Sequence, residues 1–266
     1  MNNKLKICLI QPSLAWENIE ANLKLLDRML EQVERDTDLV VLPETFSTGF
    51  SMQSEKLAED ESGKALLWMK NVARDRQCHI TGSMIYRAGK GPVYNRLYWV
   101  SPDGIEDHYD KRHLFRPGGE RENFEPGSQR KLFSLGEFRI LPQICYDLRF
   151  PVFSRNRGDY DVLIYVANWP ASRQAVWEVL TRARAMENQC YVLGTNRVGT
   201  DGTGTASIGG TCLIDPKGNE LQRLGDQQGL LTGILELDRV REFRKSFPAW
   251  KDADPFEPGW ESGRPQ

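Results

Sequence analysis

Along most of this chain, short apolar runs of strand length alternate with stretches whose apolar residues fall on one helical face. That alternation limits the fold more tightly than any other feature. KLKICLIQ (4–11) is an apolar run of strand length. It is followed by ENIEANLKLLDRMLEQVER (17–35), where Ile19, Leu23, Leu26, Leu30 and Val33 step by three and four along one face of a predicted helix. Residues 38–42 read as a second strand, stopped by Pro43; 62–76 as a helix; 78–87 as a strand. RLYWVSPDGIEDHYDK (96–111) folds back over Pro-Asp-Gly as a hairpin. The strands EFRILPQICYD (137–147) and DVLIYVANWP (161–170) come next, then a long helix over 171–189 and the strand CYVLGTNRV (190–198). A second hairpin turns around Pro-Lys-Gly within 207–224, a last strand runs over 229–237, and a final helix begins near Asp238 and ends before Pro248. Strands alternating with helices, with antiparallel hairpins added, predict sheets covered by helices in a layered α/β fold.

The 266 residues show no internal repeat and no low-complexity linker, so a single domain over 1–266 is expected. With 35 basic and 37 acidic residues there is no excess of positive charge to hold nucleic acid. The first apolar run is too short for a signal peptide or a membrane span. Five cysteines at 8, 78, 145, 190 and 212 form no CxxC pair, and three histidines complete no zinc-ligand spacing. Reduced thiols and a cytoplasmic location are expected, with no metal and no cofactor. The glycine-rich GTDGTGTASIGG (199–210) reads as a loop; it lacks the ending and context of a phosphate cradle.

Three strands end in residues able to do chemistry: Glu44 in VVLPETF, Lys111 in YDKRHLF and Cys145 in ILPQICYD. Strand ends are where sites gather in layered α/β folds. Each residue also has a plain structural role open to it: a Glu after Pro caps the next segment, a Lys in DKRH is a solvated charge, and a free Cys fills a core. A thiol needs a base or a cation before it attacks. Base, cation and thiol at three strand ends supply that set. A Cys–His pairing with His113 is the competing arrangement, while His79 sits inside an apolar strand pattern.

LPETF, YDKRHLF and ICYDLRFP, in that order and at those separations, resemble the Glu–Lys–Cys signature of the nitrilase superfamily of carbon–nitrogen hydrolases. The resemblance spans nearly the whole chain. RFPVFSRNR, YVANWPASR, RARAMENQCYVLGTNRVGTDG and FRKSFPAWKDADPF are similar to its omega-amidase branch. The resemblance implies a four-layer α-β-β-α sandwich that pairs into a homodimer or higher oligomer, with the tail from about residue 247 to 266 extended or at the dimer interface. It implies hydrolysis of the terminal amide of small 2-oxo-dicarboxylic acid monoamides such as 2-oxoglutaramate and 2-oxosuccinamate, without metal or cofactor. Glu44 would be the base, Cys145 the nucleophile, and Lys111 with the backbone N–H of Tyr146 the oxyanion donors. Glu120 matches a second glutamate of many members.

A substrate carboxylate calls for an arginine fork. Arg116, Arg149, Arg173 and Arg197 lie in matching motifs; Arg173 is the expected contact, with Trp169 as an apolar wall and Arg116 as a further candidate. One departure concerns Gly209, Gly210 and Thr211, where many relatives carry Gly-His-Ser or Gly-Asp-Ser. A missing side chain there would enlarge the pocket or alter its mouth. Two other readings remain open: a different reaction of the superfamily, on a nitrile or an N-carbamoyl group, and a non-catalytic binding protein on the same fold.

Overall fold

Two six-stranded sheets, each built on three parallel strands, lie face to face. The structure is a computed structural model that describes residues 3–256. In the first half, β1 (Lys4–Gln11), β2 (Leu39–Val41) and β3 (His79–Arg87) are parallel, and the hairpin β4 (Val93–Val100)–β5 (Glu106–Asp110) continues the sheet. Helices α1 (Ile19–Leu30), α2 (Ser54–Leu57) and α3 (Lys64–Arg76) fill the connections. The second half repeats this plan. After α4 (Glu120–Asn123) and β6 (Phe133–Leu135), the parallel trio is β7 (Phe138–Ile144), β8 (Val162–Val166) and β9 (Tyr191–Thr195). Helices α5 (Pro151–Ser154) and α6 (Gln174–Asn188) join those strands. Next come the small hairpin β10 (Val198–Thr200)–β11 (Ala206–Ile208) and the sheet hairpin β12 (Cys212–Ile214)–β13 (Glu220–Arg223). The chain then crosses back as β14 (Gly229–Glu236) beside β1, followed by α7 (Leu237–Ser246). The strand orders are 14-1-2-3-4-5 and 13-12-9-8-7-6.

The burial pattern makes the layers. Leu5, Ile7 and Leu9 of β1 point between the sheets, where they meet Ile140, Ile164 and Leu193 from the other sheet. Cys8 and Ile10 alternate to the outer face and pack under Leu26 and Leu30 of α1 and Leu66 and Met69 of α3. On the far side Leu163, Tyr165 and Val192 pack against Trp177 and Ala185 of α6. The result is the four-layer α-β-β-α sandwich, in a single domain.

The helix read over 17–35 spans Ile19–Leu30: the Asn18 side chain caps its start by accepting the Ala21 N–H at 3.0 Å, and Val33 stays buried on the turn that follows. Helices α3 and α6 end on Gln77 and Gln189, both left-handed. The glycine-rich stretch over 199–210 is not a plain loop, since its ends pair as β10 and β11, with Val198 opposite Ile208. The repeated strand order is invisible in the sequence, because fold duplication survives without similar residues. Phe247, Trp250 and Phe256 are exposed at the start of the tail, and its part from 257 to 266 lies outside the described residues.

Gly194 shows how tightly the second sheet meets α6. A Cβ there would stand 2.8 Å from the Trp177 ring and 2.9 Å from the Cys212 sulfur. Gly194→Ala is expected to destabilise the protein by about 1–3 kcal/mol through overpacking. Gly225→Ala, where a Cβ would meet nothing within 4 Å, should stay within about 0.5 kcal/mol of wild type. Urea unfolding of both variants checks this; equal midpoints would show that α6 gives way without strain.

Candidate active site

The strand ends of both sheets converge on one buried cluster. Past β2, the chain carries Glu44 into the interior with no exposed surface. Lys111 follows β5 directly and is 1 % exposed; Glu120 opens α4 and is fully buried. The Lys111 ammonium donates to Glu44 Oε1 at 2.7 Å and to both oxygens of Glu120 at 3.0 and 2.9 Å, which uses all three of its protons. The Asn95 side-chain amide bridges the same two carboxylates, donating to Glu44 at 2.9 Å and Glu120 at 3.1 Å. The other oxygen of Glu44 accepts the Asn168 backbone N–H at 2.9 Å, a bond from the end of β8 in the opposite sheet. The Phe115 N–H closes on Glu120 Oε2 at 2.5 Å.

Cys145 sits at the first residue after β7, in the left-handed region with φ +44°. A non-glycine residue holds that geometry only where its neighbours force it. Asp147 does the forcing. It accepts the Ile144 N–H at 2.9 Å, the Tyr109 hydroxyl at 2.7 Å and the His113 N–H at 3.0 Å, and it pairs with the His113 ring at 2.7 Å. The strand therefore breaks at Cys145 and turns the thiol into the cavity that Glu44 and Asn168 also line, where the charge of Glu44 acts on it. His113 lies flat on Phe150 with ring centres 3.8 Å apart. Its described polar contacts are to Asp147, not to Cys145, so the Cys–His arrangement is not formed.

Electrostatics sharpen the division of labour. Burial raises the Cys145 thiol's pKa well above its ordinary value, the charge of Glu44 adds to that, and Lys111 opposes it. Burial also raises Glu120, with Glu44 reinforcing and Lys111 opposing. For Lys111 burial works against the charged form, but Glu120, Glu44 and Cys145 together hold its pKa above normal. Burial and the charge of Glu44 thus both favour the thiol over the thiolate, and Lys111 acts against them. Cys8 and Cys78 are buried thiols pushed up to about 12 and about 11 by burial alone at the head of their causes. Cys190 and Cys212 are buried likewise, whereas Cys145 is half-buried and faces a cavity.

That cavity holds about 400 Å³, a size for a small molecule. Its floor is Glu44, Lys111 and Cys145, and Tyr146, Trp169, Arg173 and Arg197 line its sides. Tyr146 is the second residue of its turn, where a backbone N–H has no acceptor within the turn. Trp169 is 2 % exposed and donates its indole N–H to the Arg173 carbonyl at 2.8 Å. Arg173 is half-buried, its guanidinium 4.9 Å over the Phe115 ring.

Two expectations need correction. Arg116 is exposed on the turn Arg116–Gly118 and lies outside the cavity wall, because that turn points its side chain to solvent while Phe115 faces inward. Gly209, Gly210 and Thr211 do not line the cavity. A Cβ on Gly209 would meet the Gln11 amide at 2.4 Å, one on Gly210 would meet Gln174 at 2.4 Å, and Thr211 is buried, accepting the Asn196 N–H at 3.1 Å. Sequence reasoning missed Asn95, Asn168 and Asp147. Asn168 and Asp147 fell at the ends of the strands read over 161–170 and 137–147, where Asn and Asp are depleted, and Asn95 lay just before the hairpin read over 96–111.

A sequence model of the family described as carbon–nitrogen hydrolase matches residues 6–245. The omega-amidase YafV of Escherichia coli K12 is 44 % identical over 257 residues, covering 95 % of this chain and 98 % of that protein. The 2-oxoglutaramate amidase of Bacillus subtilis is 30 % identical over 253 residues, covering 94 % and 97 %. Among solved structures, a CN-hydrolase superfamily protein from Xanthomonas campestris with an arsenic adduct in its active site superposes with a TM-score of 0.94 at 40 % identity, covering 97 % of this chain and all (100 %) of that one. Saccharomyces cerevisiae Nit3, a nitrilase superfamily member, gives 0.83 at 26 % identity, over 92 % and 94 %.

Iodoacetamide near neutral pH should label Cys145 and spare the four buried cysteines, as read by peptide mass mapping. Glu44→Gln removes a charge that raises the thiol's pKa and leaves Lys111 in place, so the pH midpoint of Cys145 labelling should move down. A midpoint that stays put or rises would mean that the two groups are not coupled.

Proposed function

The chain belongs to the carbon–nitrogen hydrolase family, and from that premise we propose an omega-amidase that releases ammonia from the terminal amide of small 2-oxo-dicarboxylic acid monoamides. The observation that carries this reading is the contact set of Glu44, Lys111 and Cys145 on the floor of a small cavity whose wall carries arginines.

In the proposed reaction the Cys145 sulfur attacks the amide carbon as its proton passes to Glu44. The carbonyl oxygen becomes an oxyanion facing Lys111 and the Tyr146 N–H. Such preorganised donors are each worth about 2–4 kcal/mol. In the unliganded geometry all three Lys111 protons point at carboxylates. Its first contribution is therefore charge at short range, and a hydrogen bond becomes available when one of its two bonds to Glu120 is released. The C–N bond breaks as Glu44 returns the proton to the leaving nitrogen, giving ammonia and a thioester. Glu44 then takes a proton from water, hydroxide adds to the thioester carbon, and collapse releases the acid while the sulfur is reprotonated. Glu120 anchors Lys111 throughout. Arg173 and Trp169 are the substrate contacts of this reading, one charged and one apolar.

An ammonia-release panel of 2-oxoglutaramate, 2-oxosuccinamate, glutamine, asparagine and an aliphatic nitrile tests the proposal. The two 2-oxo amides should be fastest; a faster nitrile would move the reading to nitrile chemistry. Cys145→Ala should be inactive. Glu44→Gln should lose about 10²–10⁴-fold, Lys111→Ala at least about 10²-fold, and His113→Ala much less. A chelator should change nothing. An active Glu44→Gln beside an inactive, folded His113→Ala would reverse the assignment of the base.

A further inference from the structure

Among the described residues, two arginines are more than nine-tenths buried, Arg184 at 3 % exposure and Arg197 at 2 %. The Nε of each is buried without a partner. The charge of Arg184 is nonetheless paired: it donates to the Leu148 carbonyl at 2.6 Å and bridges to Glu187 at 2.8 Å. For Arg197, no carboxylate among the described residues lies within 4.0 Å of the guanidinium. The acid whose charge acts on it is Asp201, whose Oδ1 already accepts the N–H groups of Thr203 and Thr205 and the Thr203 hydroxyl. Burial presses its pKa down, but a guanidinium cannot shed its charge near neutral pH. An unpaired buried cation is destabilising, and it persists where something outside the chain completes it.

The backbone around Arg197 is fixed. Its carbonyl accepts the Gly209 N–H at 3.1 Å, and the next residue, Val198, donates to Pro12 at 3.0 Å. Asn196, just before it, ties down both Trp169 and Gly209. At Gly199, with φ +91°, a Cβ would come within 3.4 Å of Arg197 Nη2 and 2.9 Å of the Ser13 hydroxyl oxygen, so the chain there closes directly over the fork. The side chain belongs to the same cavity wall as Cys145.

We infer that Arg197 is the anchor for the substrate's free carboxylate, a preset fork completed only when an ω-amide acid binds with its amide at Cys145. This rests on the amide-hydrolase reading above. Of the three arginines on the cavity wall, Arg197, rigid and desolvated, selects a carboxylate, the half-buried Arg173, lying on Phe115, adds charge with less specificity, and the exposed Arg149 stands 5.7 Å over the Trp169 ring. Fixing a planar fork beforehand favours two-point recognition of a carboxylate over a single-point anion.

The test compares succinamate with butyramide, an uncharged amide of the same length, on wild type, Arg197→Gln and Arg173→Ala. Arg197→Gln should lower the succinamate-to-butyramide ratio of kcat/KM by about ten- to a hundredfold, and Arg173→Ala by less. Arg197→Gln should also melt at the same temperature as wild type or above it, because it removes an unpaired charge; a bracing arginine would lower the melting temperature and harm both substrates alike. An unchanged ratio, or a larger fall for Arg173→Ala, overturns the assignment. Should neither amide be turned over, the functional reading fails separately, and binding still reads the anchor. Succinate should raise the melting temperature of wild type and not that of Arg197→Gln; an equal rise in both overturns the inference.

Discussion

The ammonium of Lys111 is the charge on which the arrangement depends. Alone it could not be buried, and neither could Glu44 or Glu120. Together they are tenable because every proton of the ammonium has an acceptor and Asn95 ties the two carboxylates to each other. The same cluster suits the proton transfer of the proposed reaction, which takes place away from water. In that reaction Cys145 gives its proton to Glu44, one negative charge shifts from carboxylate to sulfur, and the total charge of the cluster does not change. Lys111 stays beside it before and after. A thiol raised by burial is no obstacle under these conditions, since no thiolate needs to exist before the substrate arrives.

The distance between Glu44 and Cys145 is set by how the two sheets pack. Glu44 and Lys111 hang from one sheet, Cys145 and Asn168 from the other, and the Asn168 N–H reaches across to Glu44 at 2.9 Å. The shared core of Ile7, Leu9, Ile140 and Ile164 therefore acts as the spacer that fixes the chemistry. The repeated strand order gives each half the same kind of strand end. Neither half alone assembles a base, a cation and a thiol.

Fold and site were legible to different depths. Periodicity found most strands and the long helices, because β1 alternates between two buried faces and α1 shows one apolar stripe. It could not show that two sheets stack, since a strand buried on both faces reads the same in a single sheet covered by helices. The strand-end pattern singled out Glu44, Lys111 and Cys145, and the family resemblance added Glu120. Arg116 misled because a turn can send adjacent side chains to opposite sides: Phe115 faces the cavity and Arg116 faces solvent. Asp147 and Asn168 were unreadable for a related reason. Their work is to accept or donate across long sequence separations, such as from Asp147 to Tyr109, and local pattern carries no record of such partners.

The interior treats its two cavity-lining buried cations in opposite ways, and the contrast carries meaning. Lys111 is compensated within the chain, so the reacting centre is balanced before any ligand binds. Arg197 is left without a carboxylate, although Asp201 lies a few residues along the same hairpin and is bound instead to its own loop. Were Asp201 to pair with Arg197, the wall would be neutral and more stable, and a carboxylate would have to displace it. Holding Asp201 in its turn keeps the fork open. The protein thus forgoes stability at one wall of the cavity while saturating the floor, a distribution expected where a ligand, and not the fold, supplies the missing charge.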